Sequence, residues 1–354
     1  MSANSARAVE RPPMLDVRAN VSARAWDGYV ASHPDASAHH AAAWAGLVER
    51  AFGHRTRYLA ACEGDRITGV LPLVLFDTPL FGRFGTSMPF LNYGGILADT
   101  AEAADALLTA AKREVESIKG SYLELRHTRR LFDDLPVKTH KVSMILPLQT
   151  TVDAQWGVLD RKLRNQVRKA EKSGLTTQIG GVELLDWFYP VLARNMRDLG
   201  SPVHSRRFFR EIMTTFPDRA RILCVSLGAV PIAASFTLSH GTRLEVPWAS
   251  AIRTYNSLCP NVLLYWEMLK FAIGGGFSSF DFGRSTPLEG TYQFKSQWGA
   301  QPLPLYWEYW MNGDAELPDR SPKNPKFGWA ISMWRRMPVA MSSALGPFIV
   351  RNIP

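Results

Sequence analysis

Two side chains that could do chemistry lie in one stretch. From Phe280 to Trp298 the chain reads Phe-Asp-Phe-Gly-Arg-Ser-Thr-Pro-Leu-Glu-Gly-Thr-Tyr-Gln-Phe-Lys-Ser-Gln-Trp. Asp281 alternates with Phe280 and Phe282, which predicts a carboxylate on a buried strand. Such a carboxylate is costly unless it is paired. Gly283 stops the strand, and Pro287 and Gly290 punctuate a loop. Tyr292, Phe294 and Trp298 then surround Lys295 with aromatic surface. A lysine in that setting either snorkels to the surface or is a tuned cation. A structural Asp and a surface Lys are the plain reading. The sharper one is a proton acceptor beside a cation that answers a developing negative charge.

Two similar halves are needed to position this stretch. A slide of 164 residues aligns Phe52 with Phe216, Arg55 with Arg219, Arg57 with Arg221, Leu59 with Leu223 and Gly64 with Gly228, without a gap. A hairpin over Arg57 to Phe76 matches one over Arg221 to Ser239. In the first, Pro72 argues for an edge or a bulge. A helix over Glu102 to Ile118 precedes Tyr-Leu-Glu-Leu-Arg. A helix over Pro260 to Ile273 precedes Phe-Asp-Phe-Gly-Arg, so Glu124 and Asp281 share a slot. Strands at Val142 to Leu148 and Tyr306 to Met311 close the two halves. His33 to Gly53 reads as a helix. Its adjacent His39 and His40 do not share a face, which argues against a metal site. Asn92-Tyr93-Gly94-Gly95 reads as a cleft loop. The reading predicts an α+β protein of two duplicated units, with helices on mostly antiparallel sheets. It divides the chain into a lead-in over 1–24, units over 25–150 and 151–312, and a linker and tail over 313–354.

The positive charge is concentrated. The formal surplus is +9 over 354 residues. Residues 161–172 hold six basic side chains against Glu171, and the segment from Arg320 onward holds six and no acid. Together they exceed the whole surplus, so an anionic partner is expected there: a phosphate-bearing substrate, tRNA or a membrane surface. On the helix expected over Leu159 to Gly174, Leu163, Val167 and Ala170 form an apolar stripe, with the basic residues opposite. The basic stretch lacks the interleaved aromatics of a base-stacking surface, which argues against plain RNA binding. The tail sets Trp329, Met333, Trp334 and Met337 beside Arg335 and Arg336, a composition for docking on the body or lying at a membrane interface. Three cysteines without a CxxC pair, no signal-peptide pattern and no membrane-spanning run point to a cytoplasmic protein, free of zinc or disulfides.

The order of motifs resembles the FemAB/FemX family, tandem acyltransferase-fold (GNAT-like) enzymes that attach amino acids from aminoacyl-tRNA to peptidoglycan precursors. The resemblance is carried by Arg161-Lys162-Leu163-Arg164-Asn165-Gln166-Val167-Arg168, by Tyr255-Asn256 to Trp266, and by Phe280 to Ala300. The last is similar to the FemAB-like branch associated with exosortase and exopolysaccharide gene clusters, with its FDFGRS, GTY-x-FK and WGA pattern. No coiled-coil arm insertion of the bridge-forming members is legible. The resemblance implies two tandem GNAT-like units and N-acyl transfer to an amine of a cell-envelope precursor. In that reaction Lys295 stabilises the oxyanion, and Asp281 or Glu289 accepts the amine proton. Arg164, Arg168 and Arg284 hold phosphate, while Tyr255, Asn256, Tyr292 and Trp298 line the substrate. No resident cofactor is implied. The donor is aminoacyl-tRNA, acyl-carrier protein or acyl-CoA. An ordinary acetyl-CoA enzyme of this fold places a glycine-rich turn before its central helix. Here that place reads Arg253-Thr254-Tyr255-Asn256-Ser257-Leu258-Cys259, without glycine, which disfavours acetyl-CoA. The chain is expected to act as a monomer, with peripheral membrane contact through its tail. The rival reading is a non-catalytic scaffold in envelope biosynthesis.

Overall fold

The computed structural model describes residues 15–79, 81–318 and 325–354. Two mixed sheets carry these residues. In the first, Leu15–Arg18, Arg55–Glu63, Arg66–Thr78 and Gly82–Ser87 are antiparallel neighbours in chain order. The helix Ala101–Ser117 then crosses over, so that Tyr122–His127 lies parallel to Gly82–Ser87. In the second, Leu175–Gly180, Ala220–Leu227, Val230–His240 and Arg243–Ala251 repeat the order. The helix Pro260–Gly274 crosses over to Ser279–Ser285, parallel to Arg243–Ala251. The units share one topology, as the offset predicts. Both hairpins turn at the matched glycines, Gly64 at φ 61° and Gly228 at φ 58°, a left-handed backbone that suits a residue without Cβ.

The closing strands are exchanged. Val142–Pro147, expected to close the first half, pairs antiparallel with Ser279–Ser285 in the second sheet. Tyr306–Met311 pairs antiparallel with Tyr122–His127 in the first. Each visitor separates its host strand from the host's own edge strand, Val137–Lys138 in one sheet and Gln301–Pro304 in the other. The crossing segments touch where the Leu305 amide donates to the Lys141 carbonyl at 3.1 Å. Periodicity could not show this, because an alternating strand fits either copy of a duplicated sheet equally well.

Local chemistry explains two further differences. The helix expected over His33 to Gly53 is broken into a short 3₁₀ turn at Ala38–His40 and the helix Trp44–Phe52. Ser37 causes the break: its hydroxyl accepts from the His39 amide, and its own amide donates to His40 Nδ1. Such local bonds compete with helix. Pro72 lies in an interior strand, not at an edge. It sits where that strand changes neighbours, from Leu97–Ala98 beside Val70 to Gly82–Ser87 beside Leu73, so its missing N–H interrupts no ladder there.

The cores bind the units to each other. The helix Ala101–Ser117 covers one face of the first sheet. The helix Arg161–Lys172, capped by Asp160, buries Leu163, Val167 and Ala170 against the second. A third core is shared, with Trp44, Phe52, Phe76 and Phe84 from one unit against Phe188, Phe208, Phe209 and Phe236 from the other. The tail forms helices Pro325–Arg336 and Val339–Val350 and docks on the body. Arg197 donates to the Met337 carbonyl at 3.1 Å, and Arg335 to the Leu199 carbonyl at 3.3 Å. A Cβ on Gly346 would lie 2.9 Å from Val203 backbone atoms, so glycine permits this close approach. Among the described residues no helix is long and apolar enough to cross a membrane.

Because each sheet needs a strand from the other half, residues 15–150 expressed alone lack an interior strand and leave Val142–Pro147 unpartnered. Such a fragment is expected to show no cooperative unfolding transition in urea. A two-state transition from the isolated fragment would show that the exchange is dispensable.

Candidate active site

Each parallel strand pair splays apart beyond its last paired residues. In the second unit these are Glu245 and Asp281. Asp281 is 0% exposed. It accepts from Ser143 Oγ at 2.6 Å, Tyr93 Oη at 2.8 Å and the Gly283 amide at 2.7 Å. Gly283 makes the last bond possible. Its φ is 74°, and a Cβ there would lie 2.8 Å from the Val246 carbonyl oxygen, so the strand bulges where register is lost between Asp281 and Arg284.

Glu245 sits beside this carboxylate and is 3% exposed. It accepts from Asn92 Nδ2 at 2.7 Å and lies 2.9 Å from His39 Nε2. His39 Nδ1 is 2.7 Å from the Tyr93 carbonyl, which can only accept, so that nitrogen carries a proton. Burial lowers the His39 pKa, but the charge and contact of Glu245, the Tyr93 carbonyl and the charge of Asp281 together outweigh it and hold the pKa above the ordinary value. Burial, and then the nearby Glu245, push Asp281 up. His39, Ser143 and Glu245 were not legible as site residues, and Asn92 and Tyr93 were legible only as part of an expected cleft loop. Glu245 offered a further signal, an acid in the apolar run Leu-Glu-Val, the pattern that marks Asp281.

The segment expected to be a cleft loop is a plug. Asn92 and Tyr93 send their side chains into the second splay, as above. The same segment closes the first, where the Gly94 amide donates to the Arg126 carbonyl at 3.1 Å and Arg126 Nη1 donates to the Leu91 carbonyl at 3.2 Å. Met88 and Phe90 carry left-handed φ values of 37° and 71°, a strained backbone for side-chain-bearing residues that surrounding contacts must enforce.

Lys295 lies on a short helix, Gly290–Ser296, where a loop is expected. It is 7% exposed, and its Nζ donates to the Gly283 and Arg284 carbonyls at 2.8 and 3.0 Å. The cation thus clamps the bulge that also feeds an amide to Asp281. An ammonium has three hydrogens, and one remains uncommitted to any described residue. Burial lowers the Lys295 pKa to about 8, with Asp281 opposing and Arg284 assisting.

The remaining expected residues are divided. Asp281 is not placed to meet a substrate: it is fully buried and already accepts three bonds, so it positions the bulge. Trp298, expected against substrate, is 2% exposed and packs on Tyr265, Phe282 and Phe294 in the second core. The aromatic surface around Lys295 was legible, but not which ring faces inward. Tyr292 and Tyr255 border the same core, half-buried. Asn256 is exposed on the 3₁₀ turn Arg253–Leu258. Glu289 is exposed at the start of the Lys295 helix. Arg284 is exposed, with its guanidinium 5.2 Å from the Trp307 ring centroid. Arg164 is half-buried and Arg168 is exposed, its guanidinium 5.4 Å from the Trp156 ring centroid. No hydrogen bond among the described residues joins either arginine to the Lys295 group. The structure brings together Asp281, Arg284 and Lys295. It leaves Arg164 and Arg168 on a separate helix. Among the described residues no cluster of His, Cys, Asp and Glu could hold a metal ion.

A family model described as an acetyltransferase (GNAT) domain matches residues 159–296. No curated protein sequence matches the chain. Solved structures share the fold. The chain is 16% identical to FemX, with a TM-score of 0.67 over 82% of this chain and 96% of that one. L-PGS from Bacillus licheniformis is 11% identical, with a TM-score of 0.55 over 88% and 96%. A tandem GNAT protein from the clavulanic acid biosynthesis pathway is 12% identical, with a TM-score of 0.53 over 86% and 100%. The chain is thus an α+β protein of two GNAT-like units, with the fold of acyltransferases.

Proposed function

We propose that the protein is an N-acyltransferase that moves an aminoacyl or acyl group onto an amine of a phosphate-bearing cell-envelope precursor, of peptidoglycan or exopolysaccharide. The observation that carries this reading is Lys295: an almost buried ammonium, fixed by two carbonyls at the mouth of the splayed pair, with one hydrogen to give. Acyl transfer to an amine develops an oxyanion, and a preorganised donor in a water-poor site stabilises it strongly. Glu289 is exposed nearby in sequence and serves as the proton acceptor in place of the buried Asp281. The side chains of Asn92 and Tyr93 fill the splay, and the turn before Pro260 has no glycine. Both favour an aminoacyl-tRNA or carrier-protein donor over coenzyme A. The basic helix with Arg164 and Arg168 is a candidate surface for the donor's phosphates.

The reading extends to the membrane. One side of the tail helices docks, while Trp329 (75% exposed), Met333, Met341, Leu345 and Phe348 (70%) face outward. From Arg320 on the sequence has no acidic residue. An apolar face beside basic side chains suits an anionic bilayer surface, and the protein would act there on a membrane-borne precursor, from the cytoplasmic side.

Two outcomes are expected. Lys295→Met should cut turnover by about a hundredfold or more, the scale for one oxyanion donor, with substrate binding little changed. In the wild type, turnover at saturating substrate should fall as pH rises through about 8, because the cation is then lost. Near-normal turnover in the variant would return Lys295 to a purely structural clamp, and a rise through that pH would make it a base instead. For the tail, the full chain should float with vesicles containing anionic lipid and a version ending at Asp319 should not. Equal flotation of the two would leave the tail an internal brace.

A further inference from the structure

The crossing of the two halves assembles a group of side chains that no single strand contains. Trp307, on the exchanged strand, stands opposite Arg126 in the first sheet. The Arg126 guanidinium lies 4.5 Å from the Trp307 ring centroid, and that of Arg284, from the bulge of the second sheet, lies 5.2 Å away. His140, from the segment that crosses between sheets, meets the same indole edge-on at 5.4 Å. Lys141 follows it and donates to Thr286 Oγ1 at 2.5 Å, which ties the crossing segment to the loop after Arg284.

Among the described residues in contact here, most of the charges are positive. Glu124 is the acid among these contacts, and it is consumed: Arg126 Nε donates to it at 2.7 Å and Tyr309 Oη at 2.9 Å. Arg126, 2% exposed, is therefore neutralised. The equivalent arginine of the second half is not. The Gly283 bulge inserts one residue between Asp281 and Arg284, and turns Arg284 away from the carboxylate that matches Glu124. Its guanidinium rests on Trp307 at the surface instead. His140 feels the same imbalance: burial, and then the charges of Lys141, Lys138 and Arg284, hold its pKa below the ordinary value. Trp307 Nε1 is a buried donor without a partner among the described residues.

We propose that Arg284, His140 and Lys141, arrayed around Trp307, bind the phosphate or diphosphate of the acceptor substrate. Guanidinium grips phosphate oxygens bidentately, and an adjacent ammonium and imidazole supply further donors. Lys295 donates to the carbonyl of Arg284 itself, so an acceptor anchored by its phosphate is held beside the donor proposed for the oxyanion. The inference rests on the acyltransferase reading for the identity of the ligand, but not for the existence of an anion site.

The test uses inorganic pyrophosphate and the full chain. Calorimetric titration at low salt should give one saturable site that weakens as salt rises. Arg284→Gln and Lys141→Gln should each weaken it at least tenfold, with unchanged melting curves. Arg210→Gln, a change at an exposed arginine on the helix Arg206–Thr215, should bind as the wild type does. The imidazole of His140, followed by NMR, should titrate at higher pH with pyrophosphate present, since a bound anion favours its charged form. No saturable binding, binding by Arg284→Gln and Lys141→Gln as tight as that of the wild type, or an equal loss in Arg210→Gln would overturn the proposal. Lys295→Met turnover reports on the chemistry independently, so either reading can fail alone.

Discussion

The carboxylate of Asp281 is the constraint on which the site depends. It is fully removed from water, where an unpaired charge would be prohibitive, and its partners come from three separated parts of the chain: Tyr93, Ser143 and Gly283. Satisfying it fixes the plug from the first unit, the exchanged strand and the glycine bulge at once. The bulge in turn presents two carbonyls to Lys295 and swings Arg284 outward. A second buried pair, Glu245 with His39, braces the same plug from the other side. Buried polar networks of this kind rigidify a site, and here they shape the bulge whose carbonyls hold the Lys295 ammonium.

The duplicated topology acquires its asymmetry in this network. Glu124 and Asp281 occupy matching strands, yet Glu124 neutralises the arginine that follows it, and Asp281 does not. One inserted residue makes the difference. The first unit is left with a closed ion pair under the indole of Trp307, and the second with a free guanidinium above a splay filled by foreign side chains. The exchange of closing strands and the shared core tie the two units to each other.

Much of this was legible in the sequence. Both hairpins, the crossover helices and the basic helix follow from short-range periodicity, which local sequence records, and the repeat and the matching slots of Glu124 and Asp281 follow from the 164-residue offset. The aromatic surroundings of Lys295 were legible from the spacing of Tyr292, Phe294 and Trp298. The buried partners of Asp281 and the inward packing of Trp298 were not. A carboxylate in an apolar strand looks the same whether its partners are substrates or side chains, and Tyr93 lies 188 residues away. The strand exchange was hidden for the same reason: duplicated strands carry equivalent patterns, and pairing between them is decided by long-range packing. His39 was weighed only as a metal ligand, although an adjacent histidine pair can also be divided between an ion pair and a capping bond.

The claim that Tyr93 and Asp281 join the two units through one buried hydrogen bond can be measured directly. A double-mutant cycle with Tyr93→Phe and Asp281→Asn, read from urea unfolding of the full chain, isolates their coupling. Contacting buried partners typically couple by about 0.5–3 kcal/mol, and a value of about 1 kcal/mol or more is expected for this pair, because its acceptor is a carboxylate. Additive effects, with coupling below about 0.3 kcal/mol, are the behaviour of independent sites and would contradict the account.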